Sequence, residues 1–216
     1  MNTGENIRNA LHVLYKTYEN IDKLLNDCQA AATDCGYYQP CPKFLNWSIS
    51  KKIPLSWLIN DFIVLFQHNN TPDGFNENGW KKAPVYVLEI CLGLEDDISQ
   101  LPTLYLSQFC YSDSIDWKTL CRDFANFYDP IHADDNDFQR TNDIPRTTYL
   151  TTTEAKKIYN GLDHVVTIEI PLLELNADNM REKIFGSFEL LRTRQNIKAH
   201  TDSTANQDYR AYFPVV

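Results

Sequence analysis

Carboxylates and thiols are the side chains of this 216-residue chain best suited to chemistry, and they fall into three groupings. Asp61 and Glu89 lie inside apolar stretches, where a carboxylate needs a partner or a task. Asp129, His132, Asp134, Asp135 and Asp137 form a dense acidic run with the oxygen donors that a hard cation takes. Asp135 and Asp137 are spaced as in a calcium loop. The central glycine and closing glutamate of such a loop are missing, however, so a solvated acidic loop is the simpler reading. Cys28, Cys35 and Cys41 are seven and six residues apart. A zinc knuckle needs a tighter spacing, about two to four, to present both thiolates to one ion, and buried structural thiols fit better. No GxSxG, Walker, dinucleotide or HExxH pattern occurs, and seven glycines leave little material for phosphate-cradling loops. These absences lead us to expect no cofactor and no resident metal.

The frame for these residues begins with 84–111, which reads as two strands, 85–92 and 103–111, joined by an acidic loop. In the first strand Tyr86, Leu88, Ile90 and Leu92 share one face, and Val85, Val87 and Cys91 share the other with Glu89, the only charge. A strand apolar on both sides belongs in the middle of a sheet. The second alternates less cleanly, with Ser107 and Gln108 inside it, and is expected nearer an edge. Residues 54–68 fit a helical stripe or a doubly buried strand equally well.

The clearest periodicity lies at the N-terminus. Ile7, Leu11, Leu14, Tyr18, Ile21, Leu25 and Cys28 recur at spacings of four and three, predicting a helix over 3–32 with a heptad seam. Such a helix either packs on its own domain or docks on a partner. Phe75 and Trp80 in the polar loop 69–82 are either that loop's internal packing or further contact residues, and Tyr212 and Phe213 in the apolar end of the tail tuck either against the domain or into a partner groove.

Further on, 114–128 reads as an amphipathic helix carrying Phe124 and Phe127, and 129–146 as a long acidic loop that forms the one interior boundary. Thr151–Glu154 has the form of a capping box opening a short helix that ends near Gly161. Residues 164–173 read as a strand, with Pro171 placing its far end at an edge or out of the sheet. Residues 177–194 read as a helix capped by Asn176, with Met180, Ile184, Phe188 and Leu191 in one stripe and Gly186 as a site of close packing.

This order of helix, strand-like segment, hairpin, helix, strand and helix is similar to the restriction-endonuclease-like nuclease core. The resemblance implies Mg²⁺ held by carboxylates on adjacent strands, here Asp61 and Glu89, beside a lysine that helps to activate water. Two residues after Glu89 stands Cys91, so the lysine role is vacant.

A net charge of −9 argues against a broad nucleic-acid footprint and points, if anywhere, to a basic partner. No run of apolar residues is long enough to span a membrane, and no export signal is evident. Six cysteines then read as free thiols, and the cytoplasm as the compartment. The expectation is an α+β chain with a single sheet of three to four strands built on the central hairpin 84–111 and flanked by helices. Residues 1–194 would form one domain and 195–216 a tail. Its expected role is a non-catalytic interaction protein, an accessory subunit of a larger soluble assembly, with self-association through the helix seam left open. The alternatives are a divergent metal-dependent nuclease or hydrolase acting through Asp61 and Glu89, and an acidic inhibitor or immunity-type protein that binds a basic partner.

Overall fold

A computed structural model describes residues 3–41, 44–46, 59–70, 80–81, 83–93, 101–112, 123–132, 137–143 and 145–193. Helix α1 (Thr3–Asp34) leads through β1 (Tyr37–Tyr38) and β2 (Leu45–Asn46) to three long strands, β3 (Asp61–His68), β4 (Val85–Cys91) and β5 (Thr103–Tyr111). Helix α2 (Ala125–His132), the hairpin β6 (Phe138–Asp143) and β7 (Arg146–Thr151), helix α3 (Thr153–Ile158) and β8 (Leu162–Pro171) follow. Helix α4 spans residues 180–193 and contains a π-helical turn, Glu182–Gly186. The strands form one antiparallel sheet in the order β1-β3-β4-β5-β8-β7-β6, and β2 pairs with β3 on the edge that β1 also uses.

The sheet therefore has seven strands along its path, not three to four. The extra strands are those that periodicity misses. β1 and β2 are two residues each, and β6 and β7 fall in or beside the segment that composition marks as an acidic loop. β6 is exposed from Gln139 to Asp143, so nothing selects apolar residues along it. β5 is the middle strand of the path rather than a near-edge one. Its polar residues are tolerated there because each has a partner across the ladder. Ser107 Oγ lies 2.9 Å from Thr167 Oγ1, and Gln108 Nε2 donates to the Tyr86 hydroxyl at 3.0 Å. In the ambiguous 54–68 stretch, Asp61–His68 is a strand buried throughout except at Asp61. Its β-branched and aromatic content fits a doubly covered pleat.

Alternation along the strands sends side chains to two cores. On one face Phe62, Val64, Phe66, Tyr86, Leu88, Ile90, Leu104, Leu106 and Ile168 pack under α1 and α4. The stripe Met180, Ile184, Phe188 and Leu191 of α4 is buried there as its spacing predicts. The N-terminal turn of that segment is fixed by Asn176, whose Oδ1 accepts from the backbone N–H groups of Asp178 and Asn179, each at 3.0 Å. A Cβ on Gly186 would meet nothing closer than Glu182 Cγ at 3.9 Å, so close packing does not explain that glycine. On the other face Ile63, Leu65, Val85, Val87, Phe109 and Val165 pack under α2 and α3.

Two turns fix this layering. α1 ends where Cys35 N–H donates to Ala31 and Ala32 carbonyls and Gly36 takes φ 81°. A side chain at Gly36 would be strained and would lie 3.4 Å from His68 Nε2, so glycine lets the chain drop directly into β1. α3 is capped by Thr152, whose hydroxyl accepts from Ala155 N–H at 3.3 Å, one residue later than the capping box suggests.

Candidate functional site

The centre of the second face holds the one fully buried carboxylate among the described residues, Glu89. Its position follows from register. Asp61 pairs with Cys91, Ile63 with Glu89, Glu89 with Tyr105, and Tyr105 with Glu169, so these side chains share one face in two adjacent rows. α2 crosses that face, anchored by Phe127 and Ile131, with Phe127 5.4 Å from Phe109 between ring centroids. Its last residue, His132, sets Nε2 2.8 Å from Glu89 Oε1. The His132 ring is held on two more sides. Tyr128, one turn back, stacks on it at 4.3 Å and 28°, and Tyr105 meets it edge-on at 4.9 Å and 88°. An imidazolium beside a carboxylate and against an aromatic face is doubly favoured.

Glu89 is nonetheless incompletely satisfied, because Oε2 is buried and takes no hydrogen bond. Burial raises the Glu89 carboxyl above its ordinary value; the His132 contact opposes that, and the charge of Asp61 reinforces it. Burial alone would depress His132, but the hydrogen bond and charge of Glu89, with Asp61 and Glu169, outweigh it and raise the imidazole. Both shifts keep a proton on the pair to a higher pH than the separate groups would hold it. Cys91 is pushed up by burial first and by neighbouring Asp61 second, which leaves its thiol un-ionised and inert.

Asp61 and Glu89 thus share one face in adjacent rows, but the hydrolase expectation needs both in an open cleft, and Glu89 is fully buried and bonded to His132. Among the described residues no group of three His, Cys, Asp or Glu side chains is placed to hold a metal ion. None of the five described cysteines, Cys28, Cys35, Cys41, Cys91 and Cys110, forms a disulfide. The acidic run is divided: Asp129 and His132 belong to α2, Asp137 precedes β6, and Asp134 and Asp135 lie outside the described residues. His132 is the residue that sequence reasoning put to the wrong use, as one donor of an acidic loop. The signal was present, since Phe124, Tyr128 and His132 recur every fourth residue and carry the helical stripe past Pro130.

The N-terminal seam divides as well. Ile21 and Cys28 are buried in the first core, and Leu25 packs against it. Tyr18 packs edge-on against Phe62 and exchanges hydrogen bonds with the backbone of Ile59. Leu14 is half-buried. Ile7 and Leu11 are 58% and 61% exposed, and so are their neighbours Val13 and Tyr15 at 64% and 65%. Trp80, a candidate contact residue, is instead buried in the second core. Phe75, Tyr212 and Phe213 lie outside the described residues.

A second polar cluster sits at the rim of the first face. Tyr37 hydroxyl donates to Glu189 Oε1 at 2.8 Å, Arg192 grips Glu189 Oε2 through Nε and Nη2 at 2.9 and 2.6 Å, and His68 Nε2 lies 3.6 Å from Glu189 Oε1. This cluster ties β1 and the end of β3 to α4. No helix among the described residues is long and apolar enough to cross a membrane. No family model matches the chain, nor does any curated protein or solved structure.

Proposed function

We propose that this chain is a non-catalytic interaction protein, an accessory subunit that presents the first half of α1 to an apolar groove on a larger protein. The observation that carries this reading is the division of one continuous seam. The same row of residues that is buried at Ile21 and Cys28 runs on, uncovered, through Leu11 and Ile7. The projecting stretch, 3–15, is about 20 Å long at the helical rise. Large apolar side chains left in water along a helix mark a contact surface.

The form of the stretch favours a groove over self-pairing. It carries fewer than two heptads, short of the about three to four that sustain a coiled coil alone. Val13 and Tyr15 also lie off the seam, on either side of Leu14, so apolar surface wraps well around the helix. A helix laid into a groove covers such a surface; a two-helix seam does not.

The test is purification of the tagged chain from its own cells, followed by sizing. A stoichiometric protein partner that is lost on Ile7→Asp or Leu11→Asp, with the circular dichroism unchanged, is the expected result. These two positions are exposed, so the variants keep their fold, whereas Ile21→Asp would bury a charge and prove nothing. A lone, monodisperse monomer sinks the reading. A dimer of this chain lost on the same substitutions replaces the groove with a second copy.

A further inference from the structure

The Glu89–His132 contact is built in a way that a purely structural fastening does not require. α2 is already held by Phe127, Pro130 and Ile131, all buried. To this the chain adds a charge pair in the middle of an apolar face, with one carboxylate oxygen left without a donor. The groups that face the pair are acidic or phenolic from every strand packed against it. They are Asp61 from β3, the Cys91 thiol from β4 itself, Tyr105 from β5, Tyr149 from β7 and Glu169 from β8. Tyr128 and Asp129 flank His132 on its own helix. None of these can replace a positive charge on His132, and the cation that does reach this cluster, Arg140 of β6, stands over the Tyr149 ring at 5.7 Å and donates to Asn142.

We propose that Glu89 and His132 form a proton-held latch, which fastens the last turn of α2 to the sheet while the pair carries its proton and releases that turn when the proton leaves. With the proton, the pair is a carboxylate against an imidazolium, or their neutral tautomers, and burial is tolerated. Without it, an ionised Glu89 lies buried beside Asp61 with a neutral imidazole as its only hydrogen-bond partner, and the low-cost response is to let water in. Phe127 anchors the start of the helix regardless, so opening is confined to the turn 129–132 and carries the buried Pro130 and Ile131 with it. The latch opens on the alkaline side and stays shut in acid.

Amide hydrogen exchange of the full chain, followed residue by residue from pH 6 to pH 9 and corrected for the intrinsic base dependence, reads this directly. The expected result is a fall of about tenfold or more in the protection of the Ile131 and His132 amides, while β4 and β5 amides keep theirs. The His132 ring resonances should titrate over the same interval. Glu89→Gln keeps an acceptor for His132 but removes the charge, and its protection should be flat across the range. Unchanged protection in the wild-type chain, or the same fall in the Glu89→Gln variant, overturns the latch. If that variant does not fold, the wild-type ring titration decides: a His132 midpoint at or below the ordinary histidine value, about 6.5, overturns it equally.

Discussion

The two faces of the sheet are made by the same strands and yet are closed by different physics. Under α1 and α4 the cross-strand rows are Phe62, Ile90, Leu104 and Ile170, then Val64, Leu88, Leu106 and Ile168. Among the described residues, polar partners on that side include Gln108 facing Tyr86 in the third row, Tyr18 bonded to the Ile59 backbone, and the rim around Glu189. Under α2 and α3 the corresponding rows are Ile63, Glu89, Tyr105 and Glu169, then Leu65, Val87, Ser107 and Thr167. One face is a packing problem, the other a problem of hydrogen-bond satisfaction. A buried aliphatic row tolerates change in proportion to volume lost, whereas a buried polar row fails by leaving a partner stranded.

The largest effect should come from the packed face. Phe188 is fully buried and its ring lies within 6.0 Å of those of Tyr37, Phe66, Tyr86 and Phe185. Phe188→Ala should cost about 3–5 kcal/mol by denaturant unfolding, independent of pH. A smaller loss, or one that varies with pH, would mean that this face is not the plain hydrophobic layer described.

On the polar face His132→Ala should cost about 2–3 kcal/mol at pH 7, below the usual cost of stranding a buried charge because Glu89 can take up a proton instead. The pH dependence carries a sign. His132 is raised in the folded chain, so its stabilisation is complete below the ordinary histidine value and is lost as pH rises through the folded one. Glu89 is raised too, so the folded state again binds protons more tightly, and its contribution also declines as pH rises above the ordinary carboxylate value. Both act in the same direction. Stability of the wild-type chain should therefore fall between pH 6.5 and 9 more steeply than that of Glu89→Gln, and parallel curves would refute the assignment.

The rim of the first face offers a control with the same residue types, where the carboxylate is part-exposed although Tyr37 and His68 are buried. Tyr37→Phe removes the hydroxyl from Glu189, which is lowered overall despite its burial by bonds to Arg192 and Tyr37 and by the His68 charge. Arg192 remains in place and Glu189 is more than a third exposed. The cost should be only about 1 kcal/mol, measured by thermal unfolding at neutral pH. A loss as large as that of His132→Ala would make the rim, not the centre of the second face, the critical polar site.

How far the sequence discloses these faces follows from the same distinction. The central strand β4 and the α4 stripe are legible because burial on a face imposes a period, and Met180, Ile184, Phe188 and Leu191 keep it, whereas the α3 cap falls at Thr152, one residue beyond the expected Thr151. β6 is not legible, since a strand that only completes an edge has exposed side chains and no period to show. β5 misleads by its Ser107 and Gln108, which mimic a solvated edge until Thr167 and Tyr86 are seen opposite. Glu89 is recognisable as a buried, paired carboxylate from its apolar surroundings. Its partner is hidden because His132 sits in an acidic run whose composition suggests a loop, two residues beyond a proline.

The finest test of the contrast is the row Val87, Ser107, Thr167 and Thr147, polar yet buried across β5, β8 and β7. Ser107 and Thr167 hydroxyls satisfy each other at 2.9 Å, and both residues are within 1% of full burial. Ser107→Ala alone leaves the Thr167 hydroxyl stranded and should cost about 1 kcal/mol or slightly more. Thr167→Val alone strands Ser107 in the same way. Removing both at once takes away the donor and the acceptor together and leaves apolar groups of similar shape facing each other. The double variant should therefore lie within about 0.5 kcal/mol of the wild-type chain, a non-additivity that a double-mutant cycle measures directly. Additive losses would show instead that each hydroxyl is worth its own bond, and that this face is stabilised by its polar row rather than merely reconciled to it.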